Sequence, residues 1–285
     1  MKVVLGFLLL CIVPFGVEAQ SPKEDLRIRW SQPIDPFRVI GNIYYVGTTG
    51  ISSHIIATSE GLILLDTGTT AMSENLQANI KSLGFAVTDI KYIISSHAHW
   101  DHVEGHAAIK AAAGAQIVAL DGDAQAIASG VDTSALGGEG WQPVVVDRII
   151  LDGDAVSLGG VTLIAHRTAG HTKGCTSWTV TIEEDGTRFD VIFVGGTSVN
   201  EGVRLNDNAR HSSIAEDYAA TFAFLESQTP DVFIAQHPFL YGMTEKRQAV
   251  GAKPGVNPFI NPAEFHKFVA EQKSAYLERL QQSAQ

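Results

Sequence analysis

Residues 95–102 read Ser-Ser-His-Ala-His-Trp-Asp-His, placing His97, His99, Asp101 and His102 in one short segment. Imidazole nitrogens and carboxylate oxygens are the donors that zinc and comparable divalent ions accept. Four such groups in one loop cannot all point the same way. Two histidines two apart, followed at once by an Asp-His pair, therefore suit two adjacent metal positions. A metal pair needs further ligands from other loops, and two histidines stand in suitable places. His171, in TAGHTKGC, follows the apolar run VTLIAH, and His237, in IAQHPF, follows DVFIA; both are expected to complete the set.

The surrounding pattern places these residues at strand ends, where ligands collect in layered α/β proteins. FRVIGNIYYVG, SSHIIAT and GLILLDTG are rich in β-branched and aromatic residues between glycine-containing turns, and are predicted to be strands. A helix is predicted over about residues 72–83, then the strand KYIIS with the His-rich loop at its end. The alanine-rich stretch from His102 to about Ala113 is predicted to be helical, and AQIVAL the next strand. A Gly-, Asp- and Ser-rich loop spans residues 129–142. DRIIL, AVSL, VTLIAH, SWTVTIE, FDVIFVG and DVFIAQ are predicted strands, with helices near residues 215–227 and from Pro262 onward. No linker divides residues 37–285, so a single domain is expected, preceded by an irregular arm over residues 20–36.

The chain has 285 residues, 45% of them hydrophobic, enough for a sizeable core, and its formal net charge is −11. That balance argues against a nucleic-acid partner, which requires clustered Lys and Arg. Lys2 is followed by VVLGFLLLCIVPFGV and then Val17-Glu18-Ala19, the pattern of a secretory signal peptide cut after Ala19. The mature protein is thus expected to be secreted, most simply to a periplasm, with no stable membrane insertion. Cys175 then remains as the only cysteine, so no internal disulfide is expected.

The segments HAHWDH, GHTKG and QHP together resemble the metallo-β-lactamase superfamily, as does LLDTG at residues 64–68. The resemblance implies an α/β fold, an αβ/βα sandwich of two mixed β-sheets packed face to face with helices outside. It also implies two zinc ions per chain, the first held by His97, His99 and His171, the second by Asp101, His102 and His237. Residues 195–197 read Gly-Gly-Thr where thioester, lactone and phosphodiester hydrolases of similar sequence carry a bridging Asp, and Gly196 is not the cysteine of other lactamases either. The segments GNIYYVGTTGISSHII, GHTKGCTSWTV and HPFLYGMTEKR are similar to subclass B3 metallo-β-lactamases, in which a serine commonly stands in place of Gly196. Ser198 matches a substrate-binding serine of those relatives.

The implied activity is hydrolysis of the amide bond of small-molecule β-lactam antibiotics by zinc-activated water, conferring resistance. Zinc lowers the pKa of bound water to about 7. Asp101 has the catalytic role of holding the zinc that stabilises the departing amide nitrogen. Alternative readings are a hydrolase of a lactone, thioester or ester on the same fold, and a non-catalytic metal-binding module. Asp66, in LLDTG, is a candidate acceptor for a ligand histidine's outer N–H. His106 and Cys175 are not assigned to the metals.

Overall fold

The computed structural model describes residues 22–283. Helix α1 (Pro22–Trp30) leads into a seven-stranded sheet formed by β1 (Phe37–Ile40), β2 (Ile43–Tyr45), β3 (His54–Thr58), β4 (Gly61–Leu65), β5 (Ile90–Ile94), β6 (Gln116–Leu120) and β7 (Arg148–Ile150), in that spatial order. β1 to β4 are antiparallel neighbours, and β4 to β7 are parallel. Parallel pairs need crossovers, and helices α2 (Ser73–Ser82), α3 (Trp100–Val103), α4 (His106–Ala113) and α5 (Asp121–Ser129) lie in those connections. The second sheet contains β8 (Ala155–Leu158), β9 (Val161–Arg167), β10 (Thr176–Glu184), β11 (Thr187–Val194) and β12 (Val232–Ala235), ordered β12-β11-β10-β9-β8. Helices α6 (Ile214–Glu226), α7 (Met243–Ala249) and α8 (Pro262–Ser283) complete the chain.

Side-chain alternation explains the layering. Along β4, Leu62 and Leu64 pack with Leu76, Ile80 and Ile109 of the helices, whereas Ile63 and Leu65 join Trp178, Val191 and Phe193 of the second sheet. Consecutive residues of a strand face opposite sides, so a run that is apolar throughout marks a strand covered on both faces. A one-residue slip would exchange the two sets, which ties the register to burial. Tyr218 and Phe222 of α6 and Phe265 and Phe268 of α8 join the core of the second sheet. The αβ/βα sandwich expected from the motifs is therefore the observed fold.

The structure departs from expectation in three places. The arm is helical over Pro22–Trp30, and helices occur at Asp121–Ser129 and Met243–Ala249, where none is predicted. Helix α1 lacks an apolar stripe and is fastened by polar groups: Arg27 donates to Glu104 at 3.0 Å and to Glu139 at 2.7 Å. Periodicity cannot register a helix held in that way. The signal peptide expected at residues 1–19 lies outside the described residues. Among those described, no helix is long and apolar enough to cross a membrane.

His54, in β3, is buried with its ring edge-on to Tyr45 and Phe193, and its Nε2 has no hydrogen-bond partner among the described residues. Burial pushes its pKa down to about 3, against an opposing pull from Asp66. In the unfolded chain a histidine titrates near 6.5. As pH falls below that value the unfolded state takes up the proton first, so stability is lost progressively toward pH 3. Between pH 7 and pH 5 this group alone should cost roughly 2 kcal/mol. Urea unfolding midpoints in the presence of a chelator should therefore drop between those pH values, and less steeply for His54→Leu; equal slopes would contradict the assignment.

Candidate metal centre

The loops that follow β4, β5, β9, β11 and β12 meet at one edge of the sandwich. Directly after β4, Asp66 adopts a left-handed backbone (φ 58°) that short polar side chains tolerate. Its Oδ1 accepts the Ser96 amide at 2.7 Å, and its Oδ2 accepts the Ser96 hydroxyl at 2.6 Å and lies 3.0 Å from His102 Nδ1. After β5, the Ser95 carbonyl accepts the indole N–H of Trp178 at 3.0 Å and the Ser96 carbonyl accepts the Thr176 amide at 2.7 Å. The His-rich loop is thus tied to both sheets before its side chains are considered.

Asp123, in the first turn of α5, ties that loop to the one carrying His171. It accepts the Ala98 amide at 2.8 Å and the Thr172 hydroxyl at 2.7 Å on Oδ2, and the Gly174 amide at 2.8 Å on Oδ1. No motif in the sequence marks this residue. An Asp in a first helical turn is an ordinary helix-start signal, and nothing local says which two loops it joins.

The rings converge. Centroids of His97, His99 and His171 lie 4.6 to 4.8 Å apart, His97 to His102 is 4.2 Å and His102 to His237 is 5.1 Å. Two groups have donor atoms within 4.8 Å of one another: His97, His99 and His171, and His97, Asp101 and His102. His237 belongs to neither, but its Nε2 is 3.6 Å from Asp101 Oδ2, which is itself 3.3 Å from His102 Nε2. All six expected ligand residues are therefore gathered in one place, with His97 central and His237 at the rim.

The outer nitrogens are committed elsewhere. Nδ1 of His171 donates to the Ser198 carbonyl at 2.7 Å, and that of His237 to the Gly50 carbonyl at 2.9 Å. Nδ1 of His102 donates to Asp66, and that of His97 lies 3.0 Å from the Ser96 hydroxyl, whose own proton goes to Asp66. For His97, His171 and His237 these bonds select the tautomer in which Nε2 carries the lone pair. His102 Nε2 is buried without a hydrogen bond among the described residues, a cost that a ligated cation removes. The donor set fits zinc.

Electrostatics supports the same fit. Burial and neighbouring histidines hold His97 and His99 well below the usual histidine range, burial lowers His171, and burial together with His102 pushes His237 down to about 4. These rings are neutral at pH 7 and ready to ligate. For His102, burial is outweighed by Asp101 and Asp66, which push it up to about 10, and burial of Asp101 is outweighed by His102 and His237, which hold its carboxyl well below the usual range. The proton on His102 occupies the role that a metal cation would take over.

Gly196 touches His171. A Cβ at position 196 would stand 2.3 Å from His171 Cδ2 and 2.6 Å from Cγ. On its other side the Gly196 amide donates to the Cys175 sulfur at 2.9 Å. The carboxylate absent from this position is thus also one that would not fit while His171 stays in place. Cys175 is buried and forms no part of the donor cluster, and His106 bonds Thr67 and Ser95, each at 2.8 Å.

The cluster lies in a groove of about 400 Å³ lined by Trp30, Trp100 and Phe239 on one side and by Ser198, Asn200 and Gln272 among others. Ser198 is exposed there, while its carbonyl accepts from both His171 and Tyr218. The arm unexpectedly supplies a wall: the Trp30 ring lies 4.7 Å from that of His237. A larger groove of about 790 Å³ beside Phe37 and Arg247 holds none of these groups.

The family model for the metallo-β-lactamase superfamily matches residues 46–237, more than half of the chain. The chain belongs to the metallo-β-lactamase superfamily. Within this superfamily it is similar to the native metallo-β-lactamase of Legionella gormanii, at 33% identity and a TM-score of 0.85, covering 89% of this chain and 98% of that one. It is also similar to a subclass B3 metallo-β-lactamase of Bradyrhizobium japonicum, at 39% identity and a TM-score of 0.84, covering 90% and 97%. The subclass B3 likeness of the motifs is borne out. Among curated relatives, a hydroxyacylglutathione hydrolase of Rhodospirillum rubrum is 31% identical over 104 residues, 36% of this chain. The matches span only 33% and 37% of the first two curated relatives' lengths. These comparisons support a hydrolase of the metallo-β-lactamase fold, and this chain carries residues able to hold metal.

Two substitutions test the geometry. Gly196→Ala should displace His171 and weaken zinc binding at least about tenfold, as disturbing a ligand's support commonly does; chelator competition showing unchanged affinity would refute the contact. Asp123→Ala should orphan two buried amides, at roughly 1–3 kcal/mol each, lowering both the melting temperature and zinc affinity. Loss of neither would mean that the two loops are held by other contacts.

Proposed function

We propose that this protein is a zinc-dependent β-lactamase, secreted to the periplasm, that opens the ring amide of β-lactam antibiotics and so confers resistance.

 The observation that carries this reading is the assembly of six nitrogen and carboxylate donors beside Gly196, in a groove of a size that suits a small molecule. Similarity to lactamase structures over nearly the whole chain supports it. His97, His99 and His171 would hold one zinc ion, and Asp101, His102 and His237 a second. Zinc bound there would supply a nucleophile at neutral pH from water and polarise the carbonyl under attack.

The chain's own residues provide the rest. Trp30, Trp100 and Phe239 offer an apolar wall to the substituents of the substrate and exclude water, and Ser198, Asn200 and Gln272 offer neutral hydrogen bonds to its carboxylate. Asp101 is held too acidic to serve as a general base. Its catalytic part is to keep a negative charge between His102 and His237 and so to fix the ligand pair on the leaving-group side.

The second reading, a thioester hydrolase, is favoured by the hydroxyacylglutathione hydrolase relative. Gly196 counts against it, since such enzymes place a bridging Asp there. A chromogenic cephalosporin and a glutathione thioester, each offered to the purified protein before and after chelation, separate the two. Lactam turnover that disappears with the chelator and returns with zinc is expected; thioester turnover without lactam turnover would overturn the proposal.

A further inference from the structure

Asp132 lines the same groove but takes no part in the ligand cluster. Its residue is only 5% exposed. Oδ1 accepts the Ser134 amide at 2.8 Å, the only hydrogen bond its carboxylate makes among the described residues, and it forms no ion pair there. Arg210, from the segment before α6, donates from Nε and Nη2 to the main-chain carbonyls of Ser134 and Asp132, at 2.9 and 2.8 Å, and not to the Asp132 carboxylate. Oδ2 faces Gly138, and a Cβ at that position would stand 2.6 Å from it. The glycine therefore leaves this oxygen open.

A nearly buried carboxylate is costly unless a charged or hydrogen-bonding partner meets it. None of the residues lining the groove is Lys or Arg; Arg27, behind the aromatic wall, is paired with Glu104 and Glu139. No Lys or Arg side chain lining the groove meets this carboxylate, and a cationic group of a bound molecule could. On these grounds we infer that Asp132 is a specificity determinant that receives a positively charged substituent, an ammonium or amidinium group, of the substrate. The inference rests on the lactamase reading and adds to it a preferred class, β-lactams carrying a cation.

The test uses two cephalosporins with a common nucleus, one bearing a quaternary ammonium substituent and the other an uncharged substituent of similar size. The zinc-loaded wild-type protein should favour the cationic one, and the advantage should shrink as salt is added. In Asp132→Asn, which keeps the oxygen facing Ser134, the ratio of kcat/KM for cationic over neutral substrate should fall about tenfold or more, the scale of one charge-assisted contact. The fall should lie in KM. A ratio unmoved by the substitution, or a parallel loss of kcat for both substrates, would overturn this inference while leaving the lactamase reading intact. Failure of the zinc-loaded wild type to turn over either cephalosporin would instead remove that reading, and this inference with it.

Discussion

The demand on which the site depends is that several imidazoles stay neutral, buried and aimed inward within about a ring's width of one another. Nothing in such a cluster is self-stabilising without a cation, because burial and mutual repulsion both disfavour the protonated rings. The fold meets that demand from outside. Carbonyls of Ser198 and Gly50, the Asp66 carboxylate and the Ser96 hydroxyl each engage an outer nitrogen. The two sheets bring these acceptors together from segments far apart in the chain.

Two buried aspartates divide the work of support. Asp66 joins the end of β4 to the His-rich loop and to His102, and so acts on charge as well as shape. Asp123 makes no hydrogen bond to a ligand ring among the described residues; it ties Ala98 to Thr172 and Gly174. Burial raises its pKa, against the pull of those hydrogen bonds. The first aspartate holds the His102 ring by its Nδ1–H, and the second decides where two loops stand relative to each other.

Much of the centre was legible in the sequence because its ligands are either close together or at the ends of recognisable strands. The group from His97 to His102 is local, and His171 and His237 follow apolar runs that can only be strands or buried helix. Asp66 was legible as a supporting residue, and the structure gives it His102. Asp123 was not, because its partners lie 25 to 51 residues away and are mostly main-chain amides. The part played by Trp30 was hidden in the same way, since its neighbour His237 is far along the chain. Gly196 was legible as a missing carboxylate but not as room for an imidazole, which is a property of packing.

The Cys175 thiol, wedged beneath Gly195 and Gly196, is buried, and burial pushes its pKa up. A thiol in that state is a poor nucleophile and resists oxidants and alkylating reagents while the surrounding structure is closed. Its labelling therefore requires the floor behind His171 to open, so the rate at which a thiol reagent reaches Cys175 clocks the breathing of the metal centre from underneath. The chain thus carries its own probe of how firmly that floor is shut.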